Sequence, residues 1–137
     1  ENCKYHGGHN LCPKVAAYVK DRAHLSFCPE TAGGLPVPRP PIELPQGDAQ
    51  AVLSGQAQAR DKLGQDINAA LIAGAEQALN LCLEHGVELA ILKENSPSCG
   101  VHQVYDGSFS GEKTPGQGLT AALLSQAGIK VISENDI

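Results

Sequence analysis

The chain has 137 residues, 42% of them apolar and 18% charged, which suits one globular domain with its own core and argues against disorder. No apolar run approaches the roughly 20 residues of a membrane span, and no basic start followed by an apolar core marks a secretory leader. The formal charge of -5 argues against a nucleic-acid surface and says little about a small-molecule substrate.

Cysteine usage narrows the compartment. Cys3, Cys12, Cys28, Cys82 and Cys99 form an odd set without a leader, the pattern of reduced thiols in the cytoplasm. The sequence holds no Met. A bacterial-type product starts with Met, so residues are expected upstream of Glu1.

In chain order, Pro13 to Asp21 reads as a short helix, with Pro13 at its first position and Val15, Tyr18 and Val19 at helical spacing. His24 to Cys28 alternates and reads as a short strand, with His24, Ser26 and Cys28 on one face. Pro29 to Pro45 is rich in Gly and Pro, a stiff non-repetitive loop. Gly47 to Gly64 reads as a short edge strand or a mobile excursion. Ile67, Leu71, Ala75, Ala78 and Cys82 form an apolar helical stripe, with Asp66 as N-cap and Gly86 just past the last turn. Val87 to Leu92 has the compact apolar character of a central strand. Lys93 to Gly100 is a loop, and Val101 to Gly111 an irregular excursion around Asp106-Gly107. Thr120 to Gln126 is helical, and Ile129 to Ser133 is a last strand.

Alternating helix and strand predict one α/β domain over residues 1–137, a small three-layer domain with a mostly parallel sheet covered by helices. The first element is a helix, so a preceding strand is expected upstream of Glu1. In open α/β sheets ligands bind beyond the carboxyl ends of the strands. Cys28 ends one strand, Cys99 sits in the loop after another, and Glu1 to Gly8 would follow the upstream strand. Cys28-Pro29-Glu30 and Ser96-Pro97-Ser98-Cys99-Gly100 place a thiol beside proline in stiff loops. Soft thiolates select zinc, copper(I) or iron–sulfur clusters. The lack of a C-x-x-C pair disfavours a zinc finger, and dispersed cysteines suit a cluster held by converging loops. Unreactive core or loop thiols are the alternative on spacing alone.

The stretches NCKYHGGH (Asn2 to His9), CPETAGGLPVPRPPIE (Cys28 to Glu43), ILKENSPSCG (Ile91 to Gly100), YDGSFSG (Tyr105 to Gly111) and PGQGLTAALLSQAGIKVIS (Pro115 to Ser133) resemble the 2-thiouracil desulfurase family. The resemblance covers nearly the whole chain outside Gln46 to Gln65. It implies a Rossmann-like fold and a 4Fe-4S cluster held by three cysteines. Cys28 matches the cysteine of the family's CPE motif, and Cys99 that of SPSCG. The third family cysteine belongs to a CLLG motif that would precede Glu1, and Cys3 is the nearest substitute. A chain without that upstream strand is expected to bind its cluster poorly or not at all.

The implied reaction is hydrolytic, non-redox removal of sulfur from a thiolated base such as 2-thiouracil, with sulfide taken up by the open iron of the cluster. Ser96 is the leading candidate for proton handling or substrate orientation, Glu30 for general base, and His24 is a weaker alternative base. Arg39 is a candidate to hold a substrate carbonyl or a structural ion pair. The rival readings are an iron–sulfur or sulfide-carrying module without turnover, and a cluster-free enzyme using a cysteine nucleophile.

Overall fold

A computed structural model describes residues 13–35, 40–64 and 67–137. The helices are α1 (Pro13–Val19), α2 (Pro29–Ala32), α3 (Ala49–Leu53), α4 (Asn68–Glu84) and α5 (Leu119–Gln126). The strands are β1 (Ile42–Glu43), β2 (Arg60–Asp61), β3 (Leu89–Leu92), β4 (Gln103–Tyr105), β5 (Lys113–Pro115) and β6 (Lys130–Ser133). The class is α/β. β3 pairs β6 in parallel, Leu89 opposite Lys130 through Leu92 opposite Ser133, while β1–β2 and β4–β5 are antiparallel ribbons. No helix of the described residues is long and apolar enough to cross a membrane.

The long helix follows its apolar stripe. Leu71, Ala75 and Ala78 are buried, and Gly86 ends the helix at φ 64, the left-handed conformation that glycine adopts without a Cβ penalty. Asp66, the expected cap, lies outside the described residues, and Ile67 stands at the N-cap position. Two apolar clusters flank α4 and α5. One gathers Ile42, Leu44, Val52, Leu71 and Leu119; the other joins Ala90, Leu124 and Ile129, with Cys82 packed against it.

Three expectations need correction. His24 to Cys28 is not a strand: no described strand pairs with it, Leu25 is 52% exposed, and Cys28 instead occupies the N-cap position of α2. Pro29 explains the switch, because its fixed φ suits the first helical position and its missing N–H would leave a ladder incomplete. Pro29 to Pro45 is not without regular structure, since it contains α2 and β1. Val101 to Gly111 is not irregular throughout: β4 and β5 make a hairpin around Asp106-Gly107.

The Cys28 turn is seated by glycine. A Cβ on Gly74 of α4 would lie 1.8 Å from the Pro29 carbonyl oxygen, and one on Gly33 2.0 Å from that of Ala70. Backbone therefore meets backbone where α2 rests on α4, and Gln77 Nε2 donates to the Ala32 carbonyl at 3.2 Å. Gly74→Ala is expected to cost about 1–3 kcal/mol by overpacking, read as a lower thermal midpoint. An unchanged midpoint would contradict this close approach.

Candidate active site

Two loops meet, each carrying one cysteine. Cys28 is buried at the start of α2, and its carbonyl accepts the Ala32 amide at 2.9 Å. The Thr31 hydroxyl donates to Cys28 Sγ at 3.3 Å. The second loop follows β3. Ser96 Oγ accepts the amides of Ser98 and Cys99, both at 3.1 Å, and the Gly100 amide returns to the Ser96 carbonyl at 2.9 Å. This is the local turn that serine favours, with its hydroxyl replacing a backbone acceptor.

The first turn of α5 braces the second loop from behind. Leu119 N donates to the Pro97 carbonyl at 2.9 Å and Thr120 N to the Ser98 carbonyl at 2.8 Å. The fully buried Ser98 hydroxyl pairs with Thr120 Oγ1 at 2.9 Å. A Cβ on Gly118 would lie 2.4 Å from the Ser98 carbonyl carbon, so a side chain there would push the Cys99 turn away.

One side-chain bond ties the two loops together. Ser96 Oγ donates to Glu30 Oε2 at 3.1 Å across 66 residues of sequence. The serine and the carboxylate, separate candidates by sequence, are one hydrogen-bonded pair. Electrostatics place the thiols in the same neighbourhood. Burial first, then the Glu30 carboxylate and the Cys28 sulfur, push the Cys99 thiol far above its ordinary range, although the residue keeps part of its surface. Hydrogen bonds with Ser98 and Ser96 pull the other way. A thiol held so high is protonated near neutral pH, and a metal that binds it must displace that proton.

The remaining candidates separate from this point. His24 is exposed, with Nδ1 at 2.9 Å from the Arg22 carbonyl oxygen, and no longer shares a strand face with Cys28. Cys3, Cys12 and Arg39 lie outside the described residues. Among the described residues no three His, Cys, Asp or Glu side chains converge as a metal site. The described donors are therefore two soft thiols on stiff loops, with hydroxyls around them, and this donor chemistry fits an iron–sulfur cluster completed by a third thiol.

Sequence reasoning passed over Thr31, Gly74, Thr120, Glu94 and Glu134. Glu94 is buried, and its Oε1 accepts the amides of Val101 at 2.7 Å, His102 at 2.8 Å and Gln103 at 3.2 Å. Burial alone would raise this carboxyl, and the amides of His102, Gln103, Val101 and, least, Asn95 outweigh it, holding it below its ordinary range. Only Gly74 carried a usable local signal, because glycine inside a helix costs about 1 kcal/mol and invites a packing reason.

The family model described as 2-thiouracil desulfurase matches residues 1–136. A protein of Bacillus subtilis (strain 168), described as uncharacterized protein YbbK, is 42% identical over 135 residues, covering 98% of this chain and 89% of that protein. A solved structure of the [4Fe-4S]-dependent thiouracil desulfidase TudS superposes with a TM-score of 0.82 at 41% identity, covering 98% of this chain and 83% of that one. With a match over almost its whole length, the chain belongs to the 2-thiouracil desulfurase family, enzymes that cleave a carbon–sulfur bond.

Proposed function

We propose that the protein removes sulfur from a thiolated nucleobase such as 2-thiouracil, adding water to give uracil and sulfide with no net redox change. Family membership and the likeness to TudS support the reaction class. The observation that carries the site assignment is the Ser96–Glu30 bond, which joins the two cysteine loops at a proton-transfer pair. Cys28 and Cys99 would hold a 4Fe-4S cluster together with a third thiol, for which Cys3 is the candidate within this sequence. When bound, the cluster would supply Lewis-acid chemistry toward the thiocarbonyl sulfur.

The chain's own residues handle the protons. Two amide donors fix the Ser96 oxygen, so its hydroxyl proton points to Glu30 Oε2. As water adds to the thiocarbonyl carbon, one of its protons passes through the Ser96 hydroxyl to that carboxylate. The second proton is released when the new carbonyl forms, and the two protons balance the charge of the expelled sulfide.

A cluster-free enzyme using Cys28 or Cys99 as its nucleophile would turn over without iron. A passive sulfide carrier would leave the base intact. Anaerobically reconstituted protein is expected to hold about four irons per chain and to convert 2-thiouracil to uracil. Equal turnover by iron-free protein would overturn the cluster's role, and iron-loaded protein inert toward thiolated bases would leave the carrier.

A further inference from the structure

The segment from Glu94 to Gln103 is a loop closed by one of its own side chains. Glu94 is only 5% exposed, yet its Oε1 gathers three successive amides, those of Val101, His102 and Gln103. Its own amide donates to Glu134 Oε1 at 2.8 Å, and Lys93 Nζ holds Glu134 Oε2 at 2.5 Å. The base of the loop is thus pinned to the turn that follows β6. Gln103 Nε2 also reaches back to Asn95 Oδ1 at 3.0 Å, and Asn95 sits in the left-handed region at φ 74. Ser96 and Cys99 lie inside this closed segment.

The clamp has no chemistry of its own to perform. Glu94 Oε2 is buried with no hydrogen-bond partner among the described residues. Burying a carboxylate with one oxygen unmet is costly, and such a group persists where the arrangement it holds is needed. An anion set over consecutive amides is a rigid device, because each donor has a fixed direction. Gly100 fits the same picture: a Cβ there would lie 2.8 Å from the Gln103 carbonyl oxygen and 2.9 Å from that of Ser96. The two sides of the loop touch through backbone just inside the clamp.

We propose that Glu94 is a positioning residue of the active site: its carboxylate gathers the amides of Val101, His102 and Gln103 and thereby holds Ser96 toward Glu30 and Cys99 toward Cys28. This rests on the reading of Cys99 as a cluster ligand and Ser96 as a proton carrier. The contribution is to loop geometry, so it is measurable without cluster or substrate.

The test is site-resolved alkylation of the cluster-free full chain with iodoacetamide, read by peptide mass spectrometry. Glu94→Ala is expected to speed Cys99 labelling about tenfold, the scale of losing a charged acceptor from buried amides. Glu94→Gln keeps an acceptor oxygen without its charge and is expected to fall between parent and Glu94→Ala. Cys82, packed in the apolar cluster behind α4, is the internal reference for general loosening and is expected to label at the parent rate. Iron per chain after reconstitution should fall in the same order. If Glu94→Ala does not fold, Glu94→Gln carries the test. Cys99 labelling equal to parent in a folded variant, or Cys82 labelling that rises in step with Cys99, overturns the proposal. Failure of thiouracil turnover would not move the labelling, so the two readings fail separately.

Discussion

Cys28→Ala and Cys99→Ala are each expected to give folded protein that holds almost no iron, against about four irons per chain in the parent. Both thiols sit in turns whose shape is set by other groups. Pro29 and the α4 contact shape the first; the Ser96 oxygen and the first turn of α5 shape the second. Losing one sulfur from such a turn leaves a small gap, on the order of 1 kcal/mol, far short of unfolding a domain. The same loss removes one of only two soft ligands that the described residues bring to the site. Cys82→Ala is the control. It packs against the second apolar cluster of Ala90, Leu124 and Ile129, so its loss should trim stability and spare the iron. Full iron in both Cys28→Ala and Cys99→Ala would refute the ligand assignment.

Ser96→Ala is expected to lower desulfuration by about 100- to 10,000-fold, the span typical of losing a positioned proton-transfer group. The serine has two duties here, since its oxygen also accepts the Ser98 and Cys99 amides. Loss of those bonds alone should cost about 1 kcal/mol each and loosen the Cys99 turn. Glu30→Gln separates the duties. It leaves the turn intact, still accepts from the Ser96 hydroxyl, and removes only the basic carboxylate. Its expected signature is a rate loss within the same range, with the cluster spectrum and thermal midpoint of the parent. Ser110, whose hydroxyl pairs with Ser108 in the β4–β5 turn, should tolerate alanine without loss of rate. Parent rates in both Ser96→Ala and Glu30→Gln, with the cluster intact, would move proton transfer to bound water or another group.

The parts of this fold that were legible in the sequence are those with a local physical signature. The stripe from Ile67 to Cys82 repeats at helical spacing, and the compact run ending at Leu92 is a strand. The cysteine turns announced themselves through proline and glycine. His24 to Cys28 alternated like a strand, but alternation needs a neighbouring ladder, and Pro29 drew Cys28 into a helix start instead. Between Gly47 and Gly64 the elements are only two to five residues long, too short for any period to emerge. Ser96 and Glu30 were each readable as polar groups beside a thiol. Their mutual bond spans 66 residues, and the Glu94–Glu134 contact spans 40; neither separation leaves a mark in the local sequence.

The central claim is that water replaces sulfur on the base without net oxidation or reduction. Its most direct test is anaerobic turnover of 2-thiouracil by the iron-loaded protein in oxygen-18 water, with no added reductant. The expected result is uracil carrying one heavy oxygen at the former thiocarbonyl carbon, with one sulfide released per uracil. Uracil without the label, or intact 2-thiouracil beside a fully loaded cluster, would contradict the account.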